Sequence, residues 1–203
     1  GEAIKDTYKE LDRQLEEKLE LEGIEDSSGT TGCILIITPN YILCGNAGDS
    51  RCVLSVDGFT KALSRDHKPD DAKEKERIES AGGKVVRGRI DGELAVSRAI
   101  GDFKFKASNQ QHEGGGSNTG GGKVVSTPDI STHIRGSRDQ FLVLACDGLW
   151  DVYSSTEVLL QVSSLLNSDV KTNDIPGAII DLAIANGSQD NVSVAVCNFL
   201  PLP

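Results

Sequence analysis

Ile4, Tyr8, Leu11, Leu15 and Leu19 step along the start of the chain by four, three, four and four residues, with Lys and Glu filling the positions between. That period predicts an amphipathic helix ending near Gly23. The stretch holds fewer than three heptads, which favours packing on a sheet over a coiled coil. From Thr31 the period changes. Cys33-Ile34-Leu35-Ile36-Ile37, Tyr41-Ile42-Leu43-Cys44-Gly45 and Arg51-Cys52-Val53-Leu54-Ser55-Val56 read as three strands. Pro39-Asn40 and Gly48-Asp49 are the turn signals between them. Asp70 to Ala81 reads as a polar helix stopped by Gly82-Gly83, and Val85-Val86 and Glu93 to Val96 as short strands. Phe141 to Cys146 is a buried strand and Val192 to Phe199 the last one. Between these two, Ser155 can cap a helix from Thr156 to about Leu166. Pro176 opens another through Ile179, Ile180, Leu182, Ala183 and Ile184.

Short links between the early strands favour antiparallel pairing. The expected class is α+β: an antiparallel β-sandwich flanked by helices, in one domain spanning 1–203. The segment 104–123 is rich in Gly, Asn, Gln and Ser without periodicity, and predicts a flexible loop.

A length of 203 residues allows a sizeable core. The formal charge of −10 argues against a nucleic-acid surface, which needs clustered Lys and Arg. It fits either plain solubility or acids held together by bound metal. No apolar stretch approaches the ~20 residues of a membrane helix, and no signal peptide precedes the first helix. The five cysteines each adjoin an apolar run, which reads as reduced core thiols of a cytoplasmic or nuclear protein. There is no Met and the first residue is Gly1, so the N-terminus is expected to be truncated.

Several chemistries fail on spacing. A cysteine phosphatase loop places an Arg after five intervening residues. Cys44 and Arg51 have six between them, and Cys146 has Val152 in that place. A P-loop fails twice, because Gly122-Lys123 has Ser117 where the first Gly belongs and is followed by Val124. No C-x-x-C or His-x-x-x-His suggests zinc. His67, His112 and His133 lie far apart and read as surface or capping residues. Ser28-Gly29-Thr30-Thr31-Gly32 reads equally as a phosphate nest or a strand-entry turn.

The aspartates remain. Asp147-Gly148 follows the apolar run Phe141 to Cys146, and Asp190-Asn191 precedes Val192 to Cys197. A single Asp beside Gly or Asn is usually a turn residue. Several at strand ends are rigidly held oxygen donors, which suits Mg²⁺ or Mn²⁺. Such an ion lowers the pKa of its water and assists attack on phosphorus.

Taken together, the ordered motifs resemble a metal-dependent protein serine/threonine phosphatase of type 2C. They are Ser28 to Gly32, Gly48-Asp49-Ser50-Arg51, Asp66-His67-Lys68-Pro69, Glu76-Arg77-Ile78 with Ala81-Gly82-Gly83, Leu94 to Asp102, Cys146 to Asp151 and Asp190 to Ser193. The resemblance implies a sandwich of two antiparallel sheets flanked by helices and a dinuclear Mn²⁺/Mg²⁺ site. It implies that Asp147 and Asp190 bind one metal of the pair. Asp49 would be linked to a third, weaker metal. Asp151, Asp102 and Asn191 would stand near the site, and the 104–123 loop would be a flap beside it. Phosphorylated proteins would be the substrates, with a metal-bound water as nucleophile.

The family's Asp-Gly-His-Gly-Gly stretch, with the Asp that bridges both metals, is absent from these 203 residues, as are its upstream Glu and phosphate-binding Arg. The domain is therefore expected to be N-terminally incomplete. This chain alone would be weakly active or inactive, with sheet edges open to self-association. The alternative is a non-catalytic, phosphatase-like interaction module.

Overall fold

The computed structural model describes residues 1–106 and 122–199. In chain order the elements are α1 (Glu2–Glu22), β1 (Gly29–Thr30), β2 (Gly32–Ile37), β3 (Tyr41–Ala47), β4 (Arg51–Val56), β5 (Phe59–Ala62), α2 (Ala72–Ser80), β6 (Val85–Val86), β7 (Arg89–Ile90), β8 (Ile100–Gly101), α3 (Phe103–Lys106), β9 (Asp129–Ile134), β10 (Asp139–Ala145), α4 (Asp147–Trp150), α5 (Ser155–Leu166), α6 (Ile175–Ala185) and β11 (Val194–Asn198). The chain divides into two compact units. The first comprises 1–32, 45–49 and 66–129, and the second 33–44, 50–65 and 130–203.

The second unit is a sandwich. A four-stranded antiparallel sheet has the order β11-β10-β4-β5, and a three-stranded sheet the order β2-β3-β9. Their inner faces meet in an apolar layer of Ile42, Cys44, Cys52, Leu54, Leu63 and Leu142. Along β4, Cys52 and Leu54 face this layer while Val53 points to the opposite, also buried, face. The other face of the four-stranded sheet buries Val53, Phe141 and Val143 against Val158, Val162, Ile175 and Ile179 of α5 and α6. Ser154 caps α5 in a complete capping box with Glu157, one residue earlier than the Ser155 expected from sequence. The hairpin β4–β5 turns at Asp57-Gly58, both with positive φ, and a dipeptide of this kind is a tight-hairpin signal.

The first unit is built around a smaller core of Ile78, Ile90, Ala99, Phe105 and Val124. Helix α1 ends at Gly23 in the left-handed conformation, as the periodicity predicted. Only Ile4 and Tyr8 of its apolar stripe are buried, while Leu11 and Leu15 are exposed. The Tyr8 hydroxyl donates to Gly45 O at 3.2 Å. Its ring lies over Gly32, where a Cβ would come within 3.0 Å of it. Glu93 to Val96 does not form the predicted strand. Asp91 and Gly92, both at positive φ, turn the chain back, so Leu94 makes only an isolated bridge to Ile90. Helix α3 and Gly122-Lys123 are the described ends of the 104–123 loop. The rest of that loop, with His112, lies outside the described residues.

Candidate active site

Strands β10 and β11 pair from Phe141↔Asn198 to Ala145↔Val194, so the residues after β10 and before β11 leave the sheet at the same end. This antiparallel register brings Asp147 and Asp190 onto neighbouring loops. The two loops are tied directly. The Cys146 N–H donates to Ser193 O at 3.2 Å. The Cys146 thiol donates to Asn191 O at 3.2 Å and accepts from the Ser193 N–H at 3.2 Å. Ser188 Oγ donates to Gly148 O at 2.7 Å. Gly148 is a steric requirement of this seam, because a Cβ there would fall 2.3 Å from Asn191 O.

Asp147 is half-buried and opens α4, while Asp190 is exposed and accepts the Asn191 N–H at 2.7 Å. Asp151 is exposed at the end of α4, with its N–H donating to Asp147 O at 2.8 Å. Trp150 anchors that helical turn. Its Nε1–H donates to Ala145 O at 2.9 Å, and the Arg51 guanidinium lies 5.1 Å from the ring centre. Arg51 also donates to Ser155 Oγ at 3.1 Å.

In the first unit, Asp49 is almost fully buried and receives a hydrogen bond from Lys68 Nζ at 2.5 Å. The turn carrying it is fixed from several sides. Gly48 has φ 119° and packs so closely on Thr31 that a Cβ would lie 2.3 Å from Thr31 Cγ2. The Gly48 N–H donates to His67 Nδ1 at 3.2 Å, and Gly48 O accepts from the His67 N–H at 3.0 Å and from Asn46 Nδ2 at 3.0 Å. His67 is buried, and burial together with the nearby Arg98 charge pushes its pKa down. It is therefore a neutral imidazole accepting at Nδ1, and its Nε2 lies 3.2 Å from Asp129 Oδ2.

Behind His67 stands a buried carboxylate that motif reading missed. Glu74 accepts from Arg77 at 2.5 Å, from Arg98 at 2.6 Å and from Ser97 Oγ at 2.8 Å. Arg98 also donates to Asp129 Oδ1 at 2.7 Å. Burial opposes the Glu74 charge, but the two guanidinium groups prevail and hold its pKa at about 2. The signal in sequence was a charged pair in a helix, Glu74 and Arg77, spaced to share one face. The third member, Arg98, lies within the Leu94 to Asp102 motif, too far along the chain for spacing to link it to Glu74.

Asp102 packs against Ser28 and Gly29 of the same stretch whose Thr31 meets Gly48. Its φ is 53°, its N–H donates to Ser28 O at 2.9 Å, and a Cβ on Gly29 would collide with its carboxyl. Burial pushes the Asp102 carboxyl pKa up, against the pull of Lys106. Ser28 to Gly32 is thus strand and scaffold: Gly29 and Thr30 pair with Gly101 and Ile100. Asp12, which no motif marks, accepts from the Gly101 N–H at 2.9 Å and from Lys106 Nζ at 2.5 Å, tying down both ends of the Gly101–Lys106 stretch.

The structure thus brings Asp147, Asp190, Asn191 and Asp151 together at one end of the four-stranded sheet. In the first unit, Gly48, next to Asp49, packs on Thr31, and Asp102 packs on Gly29. Among the described residues, no three His, Cys, Asp or Glu groups converge to hold a metal ion. Asp147 and Asp190 have the right donor chemistry for a hard cation, but they are not by themselves a full coordination set.

A family model for protein phosphatase 2C matches residues 1–192. The chain belongs to the protein phosphatase 2C family. It is 38% identical over 206 aligned residues to protein phosphatase 2C homolog 2 of Hypocrea jecorina, covering 98% of this chain and 45% of that protein. It is 35% identical to protein phosphatase 1B of Rattus norvegicus, covering 98% of this chain and 50% of that one. Among solved structures, a phosphatase from a pathogenic strain of Toxoplasma gondii matches with a TM-score of 0.68 and 36% identity. That match covers 77% of this chain and 47% of the other. Serine-threonine phosphatase 2C from Toxoplasma gondii has the same fold, with a TM-score of 0.79 at 24% identity over 96% of this chain and 66% of that one. The chain spans about half the length of the curated relatives it matches.

Proposed function

We propose that this chain is part of a protein serine/threonine phosphatase that hydrolyses phosphoserine and phosphothreonine in protein substrates. The observation that carries this reading is the pair of interlocked loops bearing Asp147 and Asp190, in a chain of the protein phosphatase 2C family. In this reading Asp147 and Asp190 would hold one Mn²⁺ or Mg²⁺. Asp49 would serve a weaker ion in exchange for its bond to Lys68. A divalent cation supplies positive charge and an acidified water to a phosphoester. Asp151 and Asn191 would support these loops, Asp102 would steady the Ser28–Gly29 stretch, and the 104–123 segment would serve as the family's flap region, which helps set substrate choice. The family's metal-bridging Asp is absent from these 203 residues, so we expect the chain alone to turn over weakly or not at all.

No helix among the described residues is long and apolar enough to cross a membrane. We place the working protein in the cytoplasm or nucleus, acting on phosphoproteins, and expect this chain to self-associate through its open sheet edges. Two measurements test the functional reading. Calorimetric titration with Mn²⁺ should give binding that falls at least tenfold in both Asp147→Ala and Asp190→Ala. Binding unchanged by either substitution would sink the assignment and favour a non-catalytic interaction module. With a chromogenic phosphate ester and Mn²⁺, this chain should show little turnover. Full metal-dependent turnover would refute the weak-activity reading while leaving the phosphatase assignment intact.

A further inference from the structure

Cys33 and Cys44 stand on the neighbouring strands β2 and β3 of the second unit, with their sulfurs 3.8 Å apart. Both are thiols. To form a disulfide the two sulfurs must close from 3.8 Å to about 2 Å. The two sulfurs differ in access. Cys44 is 1% exposed, whereas Cys33 is half-buried and lines a cavity of about 280 Å³ together with Ser50, Cys146 and Ser193. That volume admits a small oxidant to Cys33 and not to Cys44.

The remaining thiols are poorly placed to compete. Cys146 is held on both sides by the Asn191 carbonyl and the Ser193 N–H. Cys52 is fully buried, and its bond to Cys44 together with burial pushes its pKa far up. Burial also raises Cys197. The thiols of Cys33 and Cys52 pull Cys44 the other way, below the ordinary range, although burial opposes this. The thiolate is the reactive form of cysteine, so this direction favours Cys44 as the attacking group once its neighbour is oxidised.

We propose that Cys33 and Cys44 form a peroxide-reactive dithiol, in which Cys33 takes the oxidant and Cys44 closes the disulfide. The oxidant class is a hydroperoxide. In the first step the Cys33 sulfur attacks the terminal peroxide oxygen. An S–O bond forms, the O–O bond breaks, and the thiol proton leaves with the departing oxygen as water or alcohol. In the second step the Cys44 sulfur attacks the sulfenic sulfur of Cys33. The S–S bond forms, the S–O bond breaks, and the hydroxide leaves with the Cys44 proton as water. Two thiols lose two electrons in all, and the peroxide gains them.

The test uses the 203-residue chain, reduced, exposed to hydrogen peroxide, alkylated and mapped as peptides without reductant. A Cys33–Cys44 link, reversed by dithiothreitol, is the expected product. In Cys44→Ser, Cys33 should stop at the sulfenic acid and be captured by dimedone. In Cys33→Ser, both the link and any adduct at Cys44 should be lost. Circular dichroism checks the fold of each variant, and if Cys33→Ser fails to fold, the parent and Cys44→Ser still decide. Five intact thiols, a Cys44–Cys52 link, oxidation of Cys146 or Cys197 ahead of Cys33, or no dimedone adduct in Cys44→Ser would each overturn the proposal.

Discussion

At the residue scale, two kinds of position carry the candidate site: glycines that let backbones touch, and charges that are buried only because they are paired. Gly148 is of the first kind. Its Cβ position is occupied by Asn191 O, at 2.3 Å, in the seam between the Asp147 and Asp190 loops. Gly148→Ala forces that seam apart and should cost about 1–3 kcal/mol. Thermal unfolding reads the loss. If the seam orients Asp147 and Asp190, Mn²⁺ affinity should fall with it, and an unchanged melting temperature would contradict the geometry. Glu74 is of the second kind. Its carboxyl is held at about 2 in the folded chain, against an ordinary 4.5. A carboxyl lowered on folding stabilises the fold above the unfolded value and loses that contribution as pH falls toward the folded one. The Glu74 cluster should therefore supply about 3 kcal/mol near neutrality that drains away between pH 4.5 and about 2. Glu74→Ala should cost about 3 kcal/mol by leaving the half-buried Arg77 and Arg98 without their shared acceptor. It should also flatten the acid limb of the stability profile, measured by urea titration at several pH values. An acid limb as steep as the parent's would show that other carboxylates set it.

At the scale of elements, what could be read from sequence was whatever depends on neighbours in the chain. The apolar runs of β2, β3, β4 and β10 and the stripe of α1 announce themselves, because period 2 or 3.6 is a local property. So did Asp147 and Asp190, since a strand end is visible as the end of an apolar run. What could not be read depends on partners far away in sequence. β9 has no apolar alternation strong enough to mark it, and β1 is two residues whose identity as strand comes only from pairing with β8. The Glu74–Arg98–Asp129–His67 group spans more than sixty residues of chain, so no spacing rule reveals it. Glu93 to Val96 shows the converse: its apolar pattern stays irregular because the Asp91-Gly92 turn leaves Leu94 only an isolated bridge to Ile90. The α5 cap gives a direct check of this local level. Ser154 accepts from the Glu157 N–H while Glu157 reaches back to the Ser154 N–H. Ser154→Ala should cost about 1 kcal/mol, and Ser155→Ala clearly less, by thermal melting. Equal effects would mean that the helix starts one residue later.

For the whole molecule, the question is what its open surfaces do. The four-stranded sheet ends in two edge strands, β5 and β11, and Phe59 on β5 is 77% exposed. The outer face of the three-stranded sheet presents Ile34 and Ile36, 40% and 44% exposed, and Ile134, 72% exposed. Unpaired edges offer backbone donors and acceptors to any strand that reaches them, and an apolar face adds a reason to stay. The net charge of −10 opposes this, because two copies repel. The balance should therefore depend on salt. Screening shortens the reach of the repulsion to about 8 Å near physiological ionic strength, while apolar contact is left in place. Sedimentation velocity should show self-association that rises with protein concentration and with salt. The double substitution Ile34→Lys with Ile134→Lys should return the chain toward monomer. Each site is already exposed, so stability should change by no more than about 0.5 kcal/mol. A chain that stays monomeric at high salt and high concentration would show that charge and edge geometry suffice to keep these surfaces apart.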